Sequence, residues 1–187
     1  MRIIAGEAKG REILAPKGMN TRPTLAKVKE AMFGMIQFEV AGAVVLDLFS
    51  GSGGLGIEAL SRGAERVVFC DSSREAYNTV RSNLKRLGYD ERAAVSCCDS
   101  IRLLEGLAGS GEAFDIVLLD PPYETDLESR AIAKLSELGL IKAGAILLCE
   151  HSKQNPPVFP EGFNVKKARK YGDSFVTYAV YEGVDDI

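Results

Sequence analysis

The sequence predicts an α/β fold: a doubly wound, mostly parallel seven-stranded sheet that ends in an antiparallel hairpin, with a short hairpin-and-helix arm at the N-terminus. Two observations carry this prediction. From residue 44 onward, apolar strand-like runs alternate with segments of helical periodicity, and this alternation is typical of a parallel sheet with helices on both faces. The length of 187 residues, with 46% hydrophobic and 26% charged residues, fits one soluble domain that buries its own core.

Five apolar runs are predicted to be the parallel strands. They cover residues 44–49, 66–71, 93–98, 114–119 and 145–150. The clearest of the intervening helices lies at 73–87, where apolar side chains recur on one face. Ser72 and Glu75 are spaced to form its capping box, and Gly88 is placed to end it.

The two ends of the chain depart from this alternation. Residues 163–170 and 174–182 flank a Tyr-Gly-Asp turn and are predicted to form the antiparallel hairpin at the sheet edge. Residues 1–40 are predicted to form a basic arm, with a small hairpin followed by a helix from Thr24 to about residue 38. The arm is too short for a core of its own, so we expect it to dock on the main domain, residues 41–187.

Charge is distributed unevenly around a net value of −3. Residues 1–30 carry a net charge of +4, residues 164–170 carry another +4, and the remainder is therefore at −11. Because nucleic-acid binding responds to the local field, two basic patches on an acidic body can still follow phosphates. A solvated surface with uneven charge explains the same pattern.

Neither a metal centre nor a membrane association is expected. The four cysteines form no Cys-x-x-Cys pair, so we expect buried, reduced thiols rather than a zinc site. No apolar stretch approaches the length of a membrane span and no signal-peptide pattern is seen, so a cytoplasmic location is expected. His151, the only histidine, follows a strand end without a partner motif and is predicted to be structural or at a rim.

A glycine-rich loop follows the first strand. Gly51, Gly53 and Gly56 spell G-x-G-x-x-G, and Asp71 stands twenty residues past Gly51 at the end of the second strand. This spacing fits a loop that brings its backbone close to a nucleotide, with the acid binding ribose hydroxyls. Dinucleotide enzymes share the pattern, so it does not select the cofactor by itself.

Two further carboxylates favour a cofactor without phosphate. Asp47 precedes the first glycine, where it would repel a pyrophosphate but attract the ammonium and sulfonium groups of S-adenosylmethionine. Asp99, at the end of the third strand, could accept a hydrogen bond from the amino group of adenine. With Asp71 and Asp120, these acids all fall at the carboxyl ends of predicted strands, where open α/β sheets bind ligands.

The residues Asp120, Pro121, Pro122 and Tyr123 are the catalytic candidates. They directly follow the apolar run at 114–119, and the two prolines cannot continue a central strand. The result is a stiff, carbonyl-rich corner that carries one carboxylate and one aromatic ring. A carboxylate accepts hydrogen bonds from an amino group, and a ring can stack on a flat base.

These motifs resemble those of class I S-adenosylmethionine-dependent methyltransferases, which implies a Rossmann-like fold. The opening segment narrows the resemblance. Residues 2–6, 10–11, 22–24, 28–30 and Phe33 are similar to the RsmD family, which methylates the exocyclic N2 of a guanine in 16S ribosomal RNA. The resemblance spans essentially the whole chain. One departure is Ala26, which stands where the family usually has an acid, so any role for an acid there is in doubt.

The resemblance implies a mechanism and partners. Asp120 and the carbonyl of Pro121 would each accept a hydrogen bond from the amino group of guanine. Tyr123 would stack on the base after the base is flipped out of its surroundings. The partner would be 16S rRNA within an assembled or assembling small ribosomal subunit. Apart from the resemblance, nothing in the sequence demands more than a monomer. Lys9, Arg11 and Arg22 of the basic arm are the candidates for contacts with RNA phosphates.

Other functions remain open from the sequence. The nearest is amino-group methylation of another acceptor, either adenine N6 in DNA or RNA or glutamine N5 in a protein, although those enzymes more often carry Asn-Pro-Pro-Tyr. A nicotinamide-dependent dehydrogenase would use the glycine loop but would leave Asp47 and the Pro-Pro corner without a role. An RNA-binding module without catalytic activity would yield no methylated product.

Overall fold

The structure is a computed structural model that describes residues 1–16, 23–122 and 125–184. Seven strands, numbered in chain order, form one sheet within this part of the chain. They are β1 (Val44–Asp47), β2 (Arg66–Asp71), β3 (Ala93–Cys97), β4 (Phe114–Leu119), β5 (Ile141–Ser152), β6 (Phe163–Tyr171) and β7 (Ser174–Tyr181).

The strand order across the sheet is β3-β2-β1-β4-β5-β7-β6. The first five strands pair in parallel, whereas β7 pairs antiparallel with both β5 and β6. The order reverses between β1 and β4, and this reversal opens a crevice at the carboxyl ends of the parallel strands. The predicted fold class, a doubly wound sheet with an antiparallel C-terminal hairpin, is confirmed.

Five α-helices cover the two faces of the sheet. They are α1 (Pro23–Met35), α2 (Gly54–Ser61), α3 (Arg74–Leu87), α4 (Ser100–Leu107) and α5 (Leu127–Glu137). The helices α1, α2 and α3 bury their apolar side chains in one core against the sheet, and α4 and α5 do so in a second core on the opposite face. The strands β1, β2 and β4 lie between these two layers and are mostly buried, which explains why they read as continuous apolar runs.

Several element boundaries differ from the sequence prediction for local reasons. The strand β5 begins at Ile141, before the predicted start at residue 145. A bulge before Ile146 contains Gly144 at a φ of 84° and interrupts the apolar pattern, so the first part of the strand is not visible in the sequence. The cap of α3 is Ser73 rather than Ser72, and its side chain accepts the backbone N–H of Ala76 at 3.3 Å.

The other boundaries move by a few residues. Gly88 ends α3 in the left-handed conformation, as predicted. The first helix, predicted to run from Thr24 to about residue 38, instead covers Pro23–Met35.

The N-terminal residues lie along α1, α2 and α3. In place of a regular hairpin, a single antiparallel bridge joins Arg2 to Glu12. Ile3 and Ile13 are buried in the same core as Met32 of α1, so this segment packs as part of the main body.

The cysteines form no disulfide bonds, and the single histidine forms hydrogen bonds within the protein. All four cysteines are free; Cys70 and Cys149 are buried, whereas Cys97 and Cys98 are partly exposed. His151 is buried, with Nδ1 2.8 Å from the Ser152 carbonyl and Nε2 2.8 Å from the Thr177 hydroxyl. Across the described ranges, no helix is long and apolar enough to cross a membrane.

Candidate active site

A cavity of about 450 Å³ lies at the carboxyl edge of the sheet. Its volume is within the range of small-molecule sites. Five carboxylates at or near the carboxyl ends of the strands line it: Asp47, Asp71, Asp99, Asp120 and Glu150. The structure thus brings together all four acids predicted from sequence, and it adds Glu150, which the sequence analysis did not single out.

Asp71 holds the glycine loop in place through a hydrogen bond to the loop backbone. Gly51 has a φ of 51°, and its N–H donates to Asp71 Oδ2 at 2.8 Å. The other oxygen, Oδ1, accepts the N–H of Ser73 at 2.8 Å. A carboxylate oxygen has more than one lone pair, so Asp71 can fix the loop and still accept hydrogen bonds from a ligand in the cavity.

The remaining glycines of the motif serve different needs. Gly53 caps α2 in the left-handed conformation, with a φ of 80°, and Gly54 rather than Gly53 lines the cavity. A Cβ at Gly56 would lie 2.2 Å from Cε1 of Phe69. The third glycine is therefore required for the close packing of α2 on β2, and it does not face the cavity.

Asp47 is a buried carboxylate with one free oxygen. It is 1% exposed, its Oδ2 accepts the N–H of Gly56 at 2.8 Å, and its Oδ1 has no hydrogen-bond partner among the described residues. Burial raises the pKa of Asp47 to about 7, and the nearby Asp71 adds to the rise. A cationic or N–H-bearing group in the cavity would satisfy the free oxygen and favour the ionised form.

Asp99 combines a helix cap with a ligand-facing position. Its Oδ1 accepts the backbone N–H groups of Ile101 at 2.9 Å and Arg102 at 3.3 Å at the start of α4. No described residue donates to Oδ2, and the side chain lines the cavity. The carboxylate is therefore held in place while one oxygen stays available to a ligand.

Acidic side chains are concentrated around Asp120 at one end of the cavity. Burial raises the pKa of Asp120 well above its usual range, and the carboxylates of Glu150, Asp47 and Glu128 raise it further, in that order. The pKa of Glu128 rises to about 7, chiefly through burial and secondarily through Glu150. This group of acids would be stabilised by a ligand that brings positive charge or N–H donors.

The Pro-Pro corner continues from Asp120. Pro121 is buried and lines the cavity together with the exposed Pro122. The carbonyl of Pro122 accepts the hydroxyl of Thr125 at 3.1 Å, and the side chain of Asn155 donates to the Thr125 carbonyl. The corner is thereby tied to the loop after β5. Tyr123 lies outside the described residues.

A buried ion network adjoins the cavity through Lys29. Glu58, fully buried in α2, accepts Lys29 Nζ at 3.1 Å and Arg62 Nε at 2.9 Å. It also accepts the backbone N–H groups of Ile4 at 2.8 Å and Ala5 at 3.0 Å. Glu58 therefore fixes the N-terminal segment to both α1 and α2.

Lys29 links this network to the cavity. Its ammonium group donates to the Arg2 carbonyl at 2.9 Å, and its side chain lines the cavity. Burial lowers the pKa of Lys29 although Glu58 opposes the change. The sequence analysis missed this network; the signal that was present is the i,i+4 spacing of Glu58 and Arg62.

Of the predicted RNA contacts of the arm, Arg11 lies away from the cavity. Arg11 donates to the carbonyl of Arg86 at 2.6 Å, in the last turn of α3, whereas the cavity adjoins the opposite end of that helix. Lys9 is exposed. Arg22 lies outside the described residues. An RNA-binding role for these three residues stays a prediction.

Comparisons with known proteins give the family. The profile of the family described as "Conserved hypothetical protein 95" matches residues 1–180. A Haemophilus influenzae protein named "Ribosomal RNA small subunit methyltransferase D" is 34% identical over 183 residues, which cover 97% of this chain and 93% of the relative. The Escherichia coli protein of the same name is 30% identical, with 97% and 89% coverage.

A solved structure agrees with the sequence comparison. The Escherichia coli protein yhhF superimposes with a TM-score of 0.87 at 28% identity, covering 98% of this chain and 99% of that one. From the profile match and the full-length relatives, the chain belongs to the conserved hypothetical protein 95 family, which is the RsmD family.

Proposed function

We propose that this protein transfers a methyl group from S-adenosylmethionine to the exocyclic N2 of a guanine in the RNA of the small ribosomal subunit. Relatives that match nearly the full chain are named as small-subunit ribosomal RNA methyltransferases. The observation that carries the proposal is the cavity at the carboxyl edge, in which a glycine loop with three acids faces the Asp120-Pro121-Pro122 corner. The two ends of this cavity fit a cationic donor and an amine acceptor.

The donor end fits S-adenosylmethionine on its chemistry. The free, buried Oδ1 of Asp47 suits the ammonium of the methionine part, and Asp71 suits the ribose hydroxyls beside the Gly51 turn. The unpaired Oδ2 of Asp99 suits the amino group of adenine. When bound, this cofactor supplies an electrophilic methyl group on a sulfonium. A pyrophosphate-bearing dinucleotide would meet repulsion from Asp47, which supports the methyl donor over nicotinamide cofactors.

The acceptor end fits an amino group that must be oriented. The lone pair of a guanine amino group is delocalised into the ring, so the site has to align the nitrogen with the methyl–sulfur axis and stabilise the charge that develops. Asp120 would accept a hydrogen bond from one N–H of the amino group, and the carbonyl of Pro121 would accept a hydrogen bond from the other. Two prolines keep this corner stiff, so little reordering is needed when the base enters. Tyr123 would stack on the base.

The decisive experiment separates binding from transfer at Asp120. We expect Asp120→Ala to lower kcat/KM for methyl transfer to small-subunit rRNA by about 10²–10³-fold, since a preorganised charge-stabilising group is lost. The cofactor Kd, measured by isothermal titration calorimetry, should change little. Asp126→Ala, which removes an exposed carboxylate a few residues further along the same loop, is the matched control and should leave both quantities unchanged.

The product identifies the acceptor atom. Mass analysis of nucleosides from treated rRNA should give N2-methylguanosine. A product methylated at adenine N6 would instead make this protein an adenine methyltransferase. Methyl transfer by Asp120→Ala at a rate near that of the wild type would show that the Asp120-Pro121-Pro122 corner is not the catalytic site.

The biological setting follows from the resemblance to the family and is part of the proposal. The acceptor is rRNA within an assembled or assembling small subunit in the cytoplasm, and the protein acts as a monomer. Comparison of methyl transfer to deproteinised rRNA and to purified subunits tests the first point. Sedimentation at working concentration tests the second.

We also propose a division of the chain into two parts. Residues 1–40 would act as an arm and residues 41–187 as the methyltransferase domain. The bonds of Glu58 to Ile4 and Ala5 support a docked arm. Met1 lines the cavity, so the arm would also contribute to the cofactor site.

A further inference from the structure

The edge hairpin and α1 enclose a second concavity, separate from the cofactor cavity. Its volume is about 440 Å³, close to that of the candidate active site. The lining residues come from α1 (Ala31, Gly34, Met35), from β6 (Lys167, Arg169, Tyr171) and from β7 (Tyr178). We call it the hairpin groove.

The hairpin groove carries two cationic side chains that form no ion pair with a described residue. Lys167 and Arg169 are exposed, and neither forms an ion pair with any residue that the structure describes. Lys166, by contrast, is paired with Glu182 at 2.8 Å. The pKa of Tyr178 is raised, mainly by burial and secondarily by the charge of Glu39. Two unpaired cations beside one another favour a polyanionic partner.

Two aromatic rings lie beside these cations. Tyr171 and Tyr178 are partly buried and pack against the core under α1. Because Lys167, Arg169 and Tyr171 occupy alternate positions along β6, their side chains share one face of the strand. Unpaired cations together with partly exposed rings form the combination that binds single-stranded nucleic acid, in which phosphates meet the cations and bases stack.

The register of the sheet places this groove next to the reaction site. Arg169 pairs with Val176 of β7, and Val176 pairs with Glu150 of β5, which lines the cofactor cavity. Arg169 is therefore two strands away from Glu150, about 10 Å at the usual spacing of strands. The same helix, α1, contributes Lys29 to the cavity and Gly34 to the groove.

We propose that the hairpin groove binds a single-stranded segment of the RNA substrate that flanks the target base. This inference rests on RNA being the acceptor, as in the proposed function, and extends it to a surface distinct from the predicted contacts of the arm. Lys167 and Arg169 bind phosphates, while Tyr171 and Tyr178 provide faces for bases. The segment leaves the groove toward the carboxyl edge, where the base enters the site beside Asp120.

The test uses fluorescence anisotropy with a fluorescein-labelled single-stranded RNA of mixed sequence, about 20 nucleotides long, a length that spans one or two binding sites. We expect the double variant Lys167→Ala/Arg169→Ala to raise the Kd at least tenfold. It should also reduce the slope of log Kd against log salt by about 1.4, the value for two contacts with single-stranded phosphates. The matched control, Lys134→Ala/Lys142→Ala, removes the same charge elsewhere and should change the Kd less than twofold.

A second variant tests the groove by shape instead of charge. Gly34 is exposed on α1, and a Cβ built there meets no atom within 4 Å, so Gly34→Leu fits the helix and obstructs the groove. We expect it to raise the RNA Kd several-fold at constant charge, with a melting temperature that is unchanged or higher, because leucine favours a helix more than glycine does.

Failure of this proposal differs from failure of the proposed function. If both groove variants bind RNA like the wild type, or if the wild type does not bind the probe, the groove is not an RNA site, whereas methyl transfer still tests the function. If the control double variant weakens binding as much as the groove variant, only net charge matters and the groove proposal falls. A groove defect seen with intact subunits but not with the RNA probe would assign the surface to a protein partner and overturn the proposal.

Discussion

Buried charge is arranged in opposite ways in two regions next to the cavity. In the first, Glu58 is paired with Lys29 and Arg62 and accepts two backbone N–H groups. In the second, Asp47 leaves one oxygen without a partner among the described residues, and burial together with neighbouring carboxylates raises the pKa of Asp120. The first arrangement is satisfied within the protein. The second is not, and both of its aspartates line the cavity.

The difference separates structural from functional charge. A buried carboxylate with matched cations holds segments together, and its removal leaves the cations unsatisfied. A buried carboxylate without a partner destabilises the folded protein, so it persists where a ligand completes it. Substitutions should therefore affect folding on the Glu58 side and ligand binding on the Asp47 side.

The largest effect on stability is expected at Glu58. We predict that Glu58→Ala lowers the free energy of unfolding by about 3–5 kcal/mol, because Lys29 loses its counter-charge while buried. Urea denaturation monitored by circular dichroism measures this. Glu12→Ala removes the partner of Arg2 in an exposed ion pair and should cost less than about 1 kcal/mol. Equal losses in the two variants would contradict the structural role of the network.

At Asp47 the expected signature is a change in pH dependence. Burial raises its pKa in the folded protein to about 7, above the value of roughly 4 for an unfolded chain. Between these values the folded state holds a proton that the unfolded state has lost, so stability falls as pH rises through this window. Asp47→Asn should remove roughly 2–4 kcal/mol of that fall between pH 4 and pH 8.

Denaturation of the wild type and of Asp47→Asn at several pH values checks this prediction. The wild type should also bind S-adenosylmethionine more tightly as pH rises toward 7, because ionised Asp47 attracts the ammonium of the cofactor. An Asp47→Asn protein with the wild-type pH dependence of stability would show that this carboxyl is not the titrating group.

A smaller and more selective effect is expected at Asp99. In Asp99→Asn the amide oxygen can still cap α4, but an N–H₂ donor replaces the free oxygen. We predict that the affinity for S-adenosylmethionine falls about tenfold, as expected for one mismatched hydrogen bond, with little change in melting temperature. Titration calorimetry gives the affinity. Unchanged binding would place the adenine edge against another part of the cavity.

The sequence predicted the central parallel strands well because β1, β2 and β4 are mostly buried and read as apolar runs. It also located the acids at the strand ends, since position in an alternating α/β pattern fixes the edge at which a strand ends. The bulge in β5 was missed because Lys142 and Gly144 interrupt the run. The spacing to Glu75 favours Ser72 as the cap of α3, whereas in the structure it is the side chain of Ser73 that accepts the N–H of Ala76.

The partners of individual side chains could not be predicted in the same way. Spacing indicated that Asp71 lies near the glycine loop, but not that it bonds Gly51 directly. Lys29 and Glu58 are far apart in sequence, and no local pattern brings them together. Glu150 was visible as the last residue of a predicted strand, although strand ends alone do not distinguish an acid that faces a cavity from one that faces solvent.

The contact between Gly56 and Phe69 has a consequence for engineering this enzyme. Any side chain at position 56 would push the Phe69 ring, and with it the strand whose terminus carries Asp71. The N–H of Gly56 also holds Asp47. A library that randomises the whole loop to alter donor preference would therefore lose most of its members to misfolding at this one codon, and diversification should be restricted to the stretch before it.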